Sequence, residues 1–206
     1  MIDAVGRTLG PGWTDVQHLR YDRLIGCYGF FDLKEDLHSA ETRTIIEACR
    51  EGWWYSAPLP GGRAVAAFMT DADLLPNTRE VASYYQERLK ETSLTRCWLD
   101  PCSIPQSVGR FAANTYWRSA VAGTRLATGD AVMAFDPLSS QGVLKALNSG
   151  QAAAESVIAA QSGNQAAFQE YMEALERSFR DYLLTRHKYY QAEQRWPQAP
   201  FWRRRH

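Results

Sequence analysis

The sequence predicts an α/β fold in which helices and strands are mixed along the chain (α+β mixed). Three observations carry it. Two apolar arms, 53–59 and 64–70, flank Pro60-Gly61-Gly62-Arg63, the pattern of a β-hairpin. A short apolar strand over 126–132 ends in Gly129-Asp130, and a loop then leads to a helix over about 143–160. Phe168, Tyr171, Met172, Leu175, Phe179, Tyr182 and Leu183 fall three and four residues apart, the spacing of one face of a long helix.

The other elements follow in order. Met1 to Arg7 reads as a strand end running into a turn at Gly6, and Gly10-Pro11-Gly12 reads as a turn. Aromatic and apolar residues over 21–33 predict a strand. Residues 40–51 fit a helical face and a strand face alike, and the hairpin that follows favours the strand. Thr78 is the expected cap of a helix carrying Val81, Tyr84, Tyr85 and Leu89. Residues 94–120 predict two strands with a loop between them. Asn164 is the expected cap of the last helix. Trp196, Phe201 and Trp202 are expected to pack back onto the body, with Arg203-Arg204-Arg205 as a solvated tail and His187 at the surface.

Composition narrows the function. The chain of 206 residues has 45% apolar residues, and 23 Lys+Arg against 23 Asp+Glu give a net charge of zero. A nucleic-acid binder needs excess cation, so that class is not expected. No apolar run is long enough for a membrane helix, and the start lacks a signal-peptide pattern. Cys27, Cys49, Cys97 and Cys102 then read as reduced thiols of a cytoplasmic protein. They are not spaced as a metal site, and His18, His38, His187 and His206 are scattered. The 12% aromatic share, with seven Trp, suits a core or a pocket for a flat ligand.

The most informative segment is Gly129 to Gly142. A helix that begins near Gln141-Gly142 presents unpaired N–H groups and the positive end of its dipole, which suits an electron-rich ligand edge. Gly142 lets a ligand approach the backbone, and Asp130 is placed to accept from hydroxyls. A plain strand–loop–helix connection, turned at Asp136-Pro137, explains the same residues equally well. Ser139-Ser140-Gln141-Gly142 is not the serine-hydrolase elbow G-x-S-x-G.

Gly129-Asp130-Ala131, Asp136-Pro137-Leu138-Ser139-Ser140-Gln141-Gly142-Val143 and Ala146-Leu147-Asn148-Ser149-Gly150 together resemble the second FAD-binding motif of the flavin-dependent monooxygenase and halogenase superfamily. Met1 to Arg7 resembles the D-A-T-G-R segment of that family, with Val5 in place of Thr. Gly52 to Leu59 is similar to the strand where halogenases carry W-x-W-x-I-P. The matches run in family order over nearly the whole chain. The family's G-x-G-x-x-G phosphate loop has no counterpart, so the likeness is to the C-terminal portion of such a flavoprotein.

The resemblance implies a partial FAD-binding Rossmann-like domain, a mixed β-sheet substrate domain and long C-terminal helices. Residues 1–12 and 106–163 would be the two pieces of the FAD-binding domain, 13–105 the substrate sheet, and 164–206 the terminal helix and tail. FAD would meet Asp3, Gly6, Gly129, Asp130, Pro137, Ser140, Gln141 and Gly142. Trp53, Trp54, Tyr55 and Phe68 would line the substrate pocket, and ordinary sheet core accounts for that aromatic strand equally well. Loss of the first half would uncover strand 126–132 and helix 143–160. The implied activity is oxygenation of an electron-rich aromatic substrate, a small molecule or a residue of a partner protein, through a flavin hydroperoxide. No catalytic residue is assigned. The alternatives are a non-catalytic chain that binds a partner or a complementary N-terminal chain, and a halogenase. Halogenation is disfavoured because Ser139 stands where halogenases carry the catalytic Glu.

Overall fold

The computed structural model describes residues 1–8, 13, 17–34, 42–100 and 102–206; the turn expected at Gly10-Pro11-Gly12 lies outside them. The strands are β1 (Ile2–Asp3), β2 (His18–Arg20), β3 (Leu24–Asp32), β4 (Ile45–Cys49), β5 (Gly52–Leu59) and β6 (Arg63–Asp71), then β7 (Gly109–Ala112), β8 (Tyr116–Arg118), β9 (Val121–Ala122), β10 (Arg125–Ala127) and β11 (Met133–Ala134). The helices are α1 (Val81–Lys90), α2 (Thr95–Trp98), α3 (Gly142–Gln161), α4 (Ala167–Gln191) and α5 (Pro200–Arg203). The chain divides into two compact units. The first is Met1–Asp22 with Ala113–Tyr189, and the second is Arg23–Ala112 with Tyr190–His206. The sequence reading set its boundaries after residues 12, 105 and 163.

The first unit is built on short strands. β1 pairs in parallel with β10, Ile2 opposite Leu126 and Asp3 opposite Ala127, and β9 completes that sheet. β8 lies between β2 and β11, antiparallel to both. α4 closes this core as its spacing predicts: Tyr171, Leu175, Phe179 and Tyr182 are buried against Trp117, Met133 and Phe135. The Asn164 side chain accepts from the Ala166 amide at 2.9 Å at the start of that helix.

Two expectations fail here. The strand ends at Ala127, and Gly129–Ala131 is a tight 3-10 turn. Gly129 has φ +60, which removes it from any strand and which glycine alone adopts without strain. The segment is also not uncovered, since Leu126, Ala127 and Val132 are fully buried. The outward face of α3 is: Val143, Leu144 and Leu147 are exposed, while its inward stripe is Lys145, Ser149 and Ala153.

The second unit is a five-stranded sheet in the order β4-β5-β6-β3-β7. Every pairing in it is antiparallel, which corrects the expected mixed sheet. Strand alternation separates two faces. On one, Cys27, Phe31, Trp54, Ala66 and Phe68 pack on Val81 and Tyr85 of α1. The Tyr85 hydroxyl donates to the Ala66 carbonyl at 2.7 Å. α1 itself starts at Val81 with Glu80 at its N-cap and no side-chain cap, because a turn from Asn77 to Glu80 takes up Thr78.

The other face is covered at one end by the tail. Trp53 Nε1 donates to the Tyr190 hydroxyl at 3.0 Å, and Trp202 Nε1 donates to the Cys49 carbonyl at 2.8 Å. The expected solvated tail is therefore corrected. Arg205 is buried, with Nη2 2.6 Å and Nη1 3.0 Å from the Asp71 carboxylate, and Arg204 reaches Asp71 at 2.8 Å. Trp196 stacks on Trp202 and Phe201 is fully buried, as expected, and His187 is at the surface.

Candidate functional site

The residues expected to meet FAD all fall in the first unit. β1 and β10 end side by side, and the Thr128 amide donates to the Asp3 carbonyl at 2.9 Å. Asp3 is buried and turns its carboxylate onto the Val5 amide at 3.1 Å. Gly6 then reverses the chain at φ +73, and a side chain there would meet nothing within 4 Å. Across from it, Ser149 of α3 fixes the Gly-Asp turn: its Oγ accepts from the Gly129 amide at 3.0 Å and from Thr128 Oγ1 at 2.9 Å.

Asp130 is not left waiting for hydroxyls alone. Its Oδ1 accepts from Lys145 Nζ at 2.6 Å, and its Oδ2 lies 3.7 Å from Arg7 Nε. The Lys145 side chain is 3% exposed while that of Asp130 is 36% exposed. The pair is thus anchored from inside and open on the carboxylate side. Lys145 also donates to the Met133 carbonyl and lies 5.0 Å from the centre of the Phe135 ring. Burial pushes its ammonium below the ordinary lysine range, with Asp130 opposing that shift. The Tyr116 hydroxyl, raised chiefly by burial, donates to the Asp130 carbonyl.

The following loop is held from below. Asp136 is 1% exposed, its Oδ1 accepts from the Leu138 amide at 3.0 Å, and Arg186 approaches its Oδ2 at 3.4 Å. Arg186 also pairs with Asp22 at 2.7 Å, and the Asp136 amide donates to the Tyr182 hydroxyl at 2.7 Å. Pro137–Ser139 form a 3-10 turn, and Ser140 closes it in the left-handed region at φ +52. Gln141 stands at the N-cap of α3 without a side-chain cap. Among the described residues the amides of Gly142, Val143 and Leu144 have no acceptor. A cavity of about 120 Å³ beside the loop is lined by Asp136, Leu138, Ser139, Gln141, Tyr182 and Arg186 among others.

These features fit the pyrimidine edge of a flavin. Three unpaired donors lie at a positive helix end, and a side chain at Gly142 would meet nothing within 4 Å, so the approach is open. Among the described residues no group of His, Cys, Asp and Glu could hold a metal ion, and no helix is long and apolar enough to cross a membrane.

The proposed pocket residues are not brought together. Trp54 and Phe68 are fully buried in the core under α1, with ring centres 5.1 Å apart. Trp53 and Tyr55 lie on the opposite face, as the period of two requires. Trp53 is closed off there by Tyr190. Tyr55 is half-buried on the uncovered end of that face, with Tyr28, the exposed Phe30 and the exposed Phe111.

The sequence reading missed Lys145, Arg7, Arg118 and the Asp136–Arg186–Asp22 chain. One signal was present for Lys145, since a cation in the first turn of a helix opposes the dipole unless a carboxylate neutralises it. Arg186 follows Tyr182 by one turn on α4, a charge on the rim of an apolar stripe.

The fold built around this turn and loop is that of flavin-dependent halogenases and monooxygenases. The solved structure of QhpG, a peptidyl tryptophan dihydroxylase essential for tryptophylquinone cofactor biogenesis, matches 99% of the chain with a TM-score of 0.83 at 23% identity. CmlS, a flavin-dependent halogenase, matches 99% with a TM-score of 0.83 at 22% identity. In sequence the chain is a homologue of the FAD-dependent oxidoreductase LodB of Marinomonas mediterranea, 32% identical over 210 residues and all of this chain. The chain spans 56% of LodB, 47% of the QhpG chain and 39% of the CmlS chain. No protein-family model matches the chain.

Proposed function

We propose that this chain is part of an FAD-dependent oxidoreductase that oxygenates an electron-rich aromatic substrate. The observation that carries the reading is the α3 N-terminus, with its unpaired Gly142, Val143 and Leu144 amides one turn from the Lys145–Asp130 pair. Asp130 would hold the ribitol region through its exposed oxygen. Gly142 and the next amides would hold the pyrimidine edge and favour negative charge there. Bound flavin would supply the redox chemistry with oxygen, while the protein orients it and shapes its electrostatics.

The substrate class is an aromatic small molecule or an aromatic residue of a partner protein. QhpG acts on peptidyl tryptophan, and the uncovered Tyr28, Phe30 and Tyr55 offer ring surface of matching chemistry. The exposed Val143, Leu144 and Leu147 support operation with further polypeptide, such as a complementary N-terminal chain, as does the greater length of the relatives. Halogenation has less support. Ser139 replaces the expected Glu, and its hydroxyl donates to the Asp136 carbonyl at 2.8 Å within the turn.

Titration of FAD against the folded chain, followed by flavin absorbance, tests the reading. Saturable band shifts are expected, with Asp130→Asn weakening binding about tenfold, the size of one charge-assisted hydrogen bond. A folded sample that leaves the flavin spectrum unchanged at millimolar FAD would overturn FAD binding by this chain itself, and no binding after a complementary N-terminal chain is added would overturn the whole reading.

A further inference from the structure

We infer that a cavity on the α1 side of the sheet binds a small monocarboxylic acid with an apolar body. The cavity lies within the second unit, and the inference does not depend on the flavin reading. Its volume is about 370 Å³, the size of a small-molecule site. Phe31 of β3 forms the floor, and Leu89 of α1, Leu99 and Pro105 form the walls. Phe31 packs on the α1 side with Tyr85, so this face is opposite the one that carries Tyr28, Phe30 and Tyr55. The cavity is therefore separate from the ring surface offered to an aromatic substrate.

Its walls are held in place without a ligand. The Glu47 carboxylate accepts from the Ser93, Leu94 and Thr95 amides at 2.5, 3.1 and 2.8 Å, which fixes the start of α2. The Asp100 amide donates to the Asp32 carbonyl at 3.0 Å, and the Asp32 amide donates to Ser103 Oγ at 2.8 Å, so Asp100 and Ser103 are tied to β3. Pro105 seats on the sheet at Gly29, where a side chain would meet Pro105 Cβ at 2.8 Å. Walls fixed in this way lower the ordering cost of binding. Ile104 stands at the mouth, 72% exposed.

The charge at the rim is unbalanced. Lys90, at the end of α1, and Arg96, on α2, both line the cavity. Neither pairs with a carboxylate among the described residues. Arg96 gives Nη1 to the Lys90 carbonyl at 3.2 Å and keeps its other guanidinium donors for a ligand. Glu91, next to Lys90 in sequence, is taken by Arg88 at 2.8 Å. Among the described residues the lining holds one carboxylate, Asp100, whose Oδ1 accepts from the Cys102 amide at 2.7 Å. Two cations against one anion leave a single positive charge. The negative end of the α1 dipole accounts for cations at this place, but not for the apolar walls beside them. A monocarboxylate balances the rim through Arg96 and Lys90 while its apolar part covers Leu89 and Ile104. A phosphate dianion would exceed that charge beside Asp100 and leave the apolar walls wet.

The test is equilibrium dialysis of the whole chain against labelled octanoate, with octanol and octylamine as probes of equal chain length. Octanoate should bind saturably, octanol more weakly and octylamine least. Arg96→Gln and Lys90→Gln should each weaken octanoate about twofold to fivefold, as exposed charge contacts do, and the two together should abolish the preference for octanoate over octylamine. Ile104→Asp, at an exposed position that leaves the core intact, should weaken octanoate by about tenfold through lost apolar contact and like charge. Lys188→Gln, on the exposed face of α4, should change nothing. Equal binding of octanoate and octylamine would overturn the carboxylate assignment. Octanoate binding that ignores the three cavity substitutions would place the acid elsewhere and overturn the site. A folded chain that leaves millimolar octanoate unbound would overturn it as well. None of these outcomes bears on FAD binding, so the two readings fail separately.

Discussion

The two units hold their strands together by different means. The second rests on long ladders: β3 and β6 pair residue for residue over nine positions, and β5 and β6 over seven. The aromatic core of that sheet is sealed by α1. The first has strands of two or three residues and adds to its apolar core under α4 a set of buried polar ties, among them Ser149 on Gly129, Tyr182 on Asp136 and Lys145 on Asp130. α3 even inverts the usual pattern, with Lys145 and Ser149 inward and Val143, Leu144 and Leu147 outward. A unit held by polar geometry is suited to holding a polar ligand, and a unit held by packing is suited to presenting a rigid surface.

The sharpest way to break that comparison lies within the aromatic strand β5. Trp54→Ala should destabilise the protein by about 3–5 kcal/mol, because it empties a closed core against Phe68 and Tyr85. Tyr55→Ala, next in sequence and on the uncovered face, should cost about 1 kcal/mol or less. Denaturant melts of the two variants decide it. Equal losses would mean that the second face is as tightly sealed as the first.

That contrast also marks how far the sequence could be read. The hairpin arms, the α4 stripe and the strand–loop–helix order were legible because each is a local period or a local turn. The Gly-Asp segment stood out because its residue types are chemically specific. Grouping neighbours on β5 did not separate its two faces: Trp53 and Trp54 are adjacent in sequence and therefore opposite in space. The partners of Asp130 and Asp136 were not legible. Arg7 and Arg186 reach them across separations that only tertiary structure sets. Arg205 looked like a solvated tail because nothing in its own neighbourhood announces Asp71.

A smaller effect sharpens the account of the polar unit. Burial holds Lys145 below the ordinary lysine range. The unfolded chain therefore takes up that proton more readily than the folded one, and stability should rise as pH climbs from the folded value toward the ordinary one. Lys145→Met should remove this rise, and at neutral pH it should cost about 1–3 kcal/mol by leaving the Met133 carbonyl unpaired. Urea melts at neutral and alkaline pH check both. Identical pH slopes in the two proteins would mean that Lys145 gains as much from Asp130 as it loses to burial.

The smallest effect concerns the loop that leads into α3. Ser140 is the only non-glycine residue with positive φ among the described residues, at φ +52 and ψ +17. Its hydroxyl has no hydrogen-bond partner there, so side-chain bonding does not offset the left-handed strain. Ser140→Gly removes a cost of about 1 kcal/mol but adds freedom to the unfolded chain, for a net gain of about 0.5 kcal/mol. Thermal melts should show that small rise. FAD titration of the same variant then separates two roles for this position. Unchanged affinity would mean that Ser140 serves only to turn the backbone so that the Gly142 amide is presented. Weakened affinity in a stabilised protein would mean that the hydroxyl itself touches the ligand. A loss of stability would show that the left-handed turn is held by contacts of the serine side chain after all.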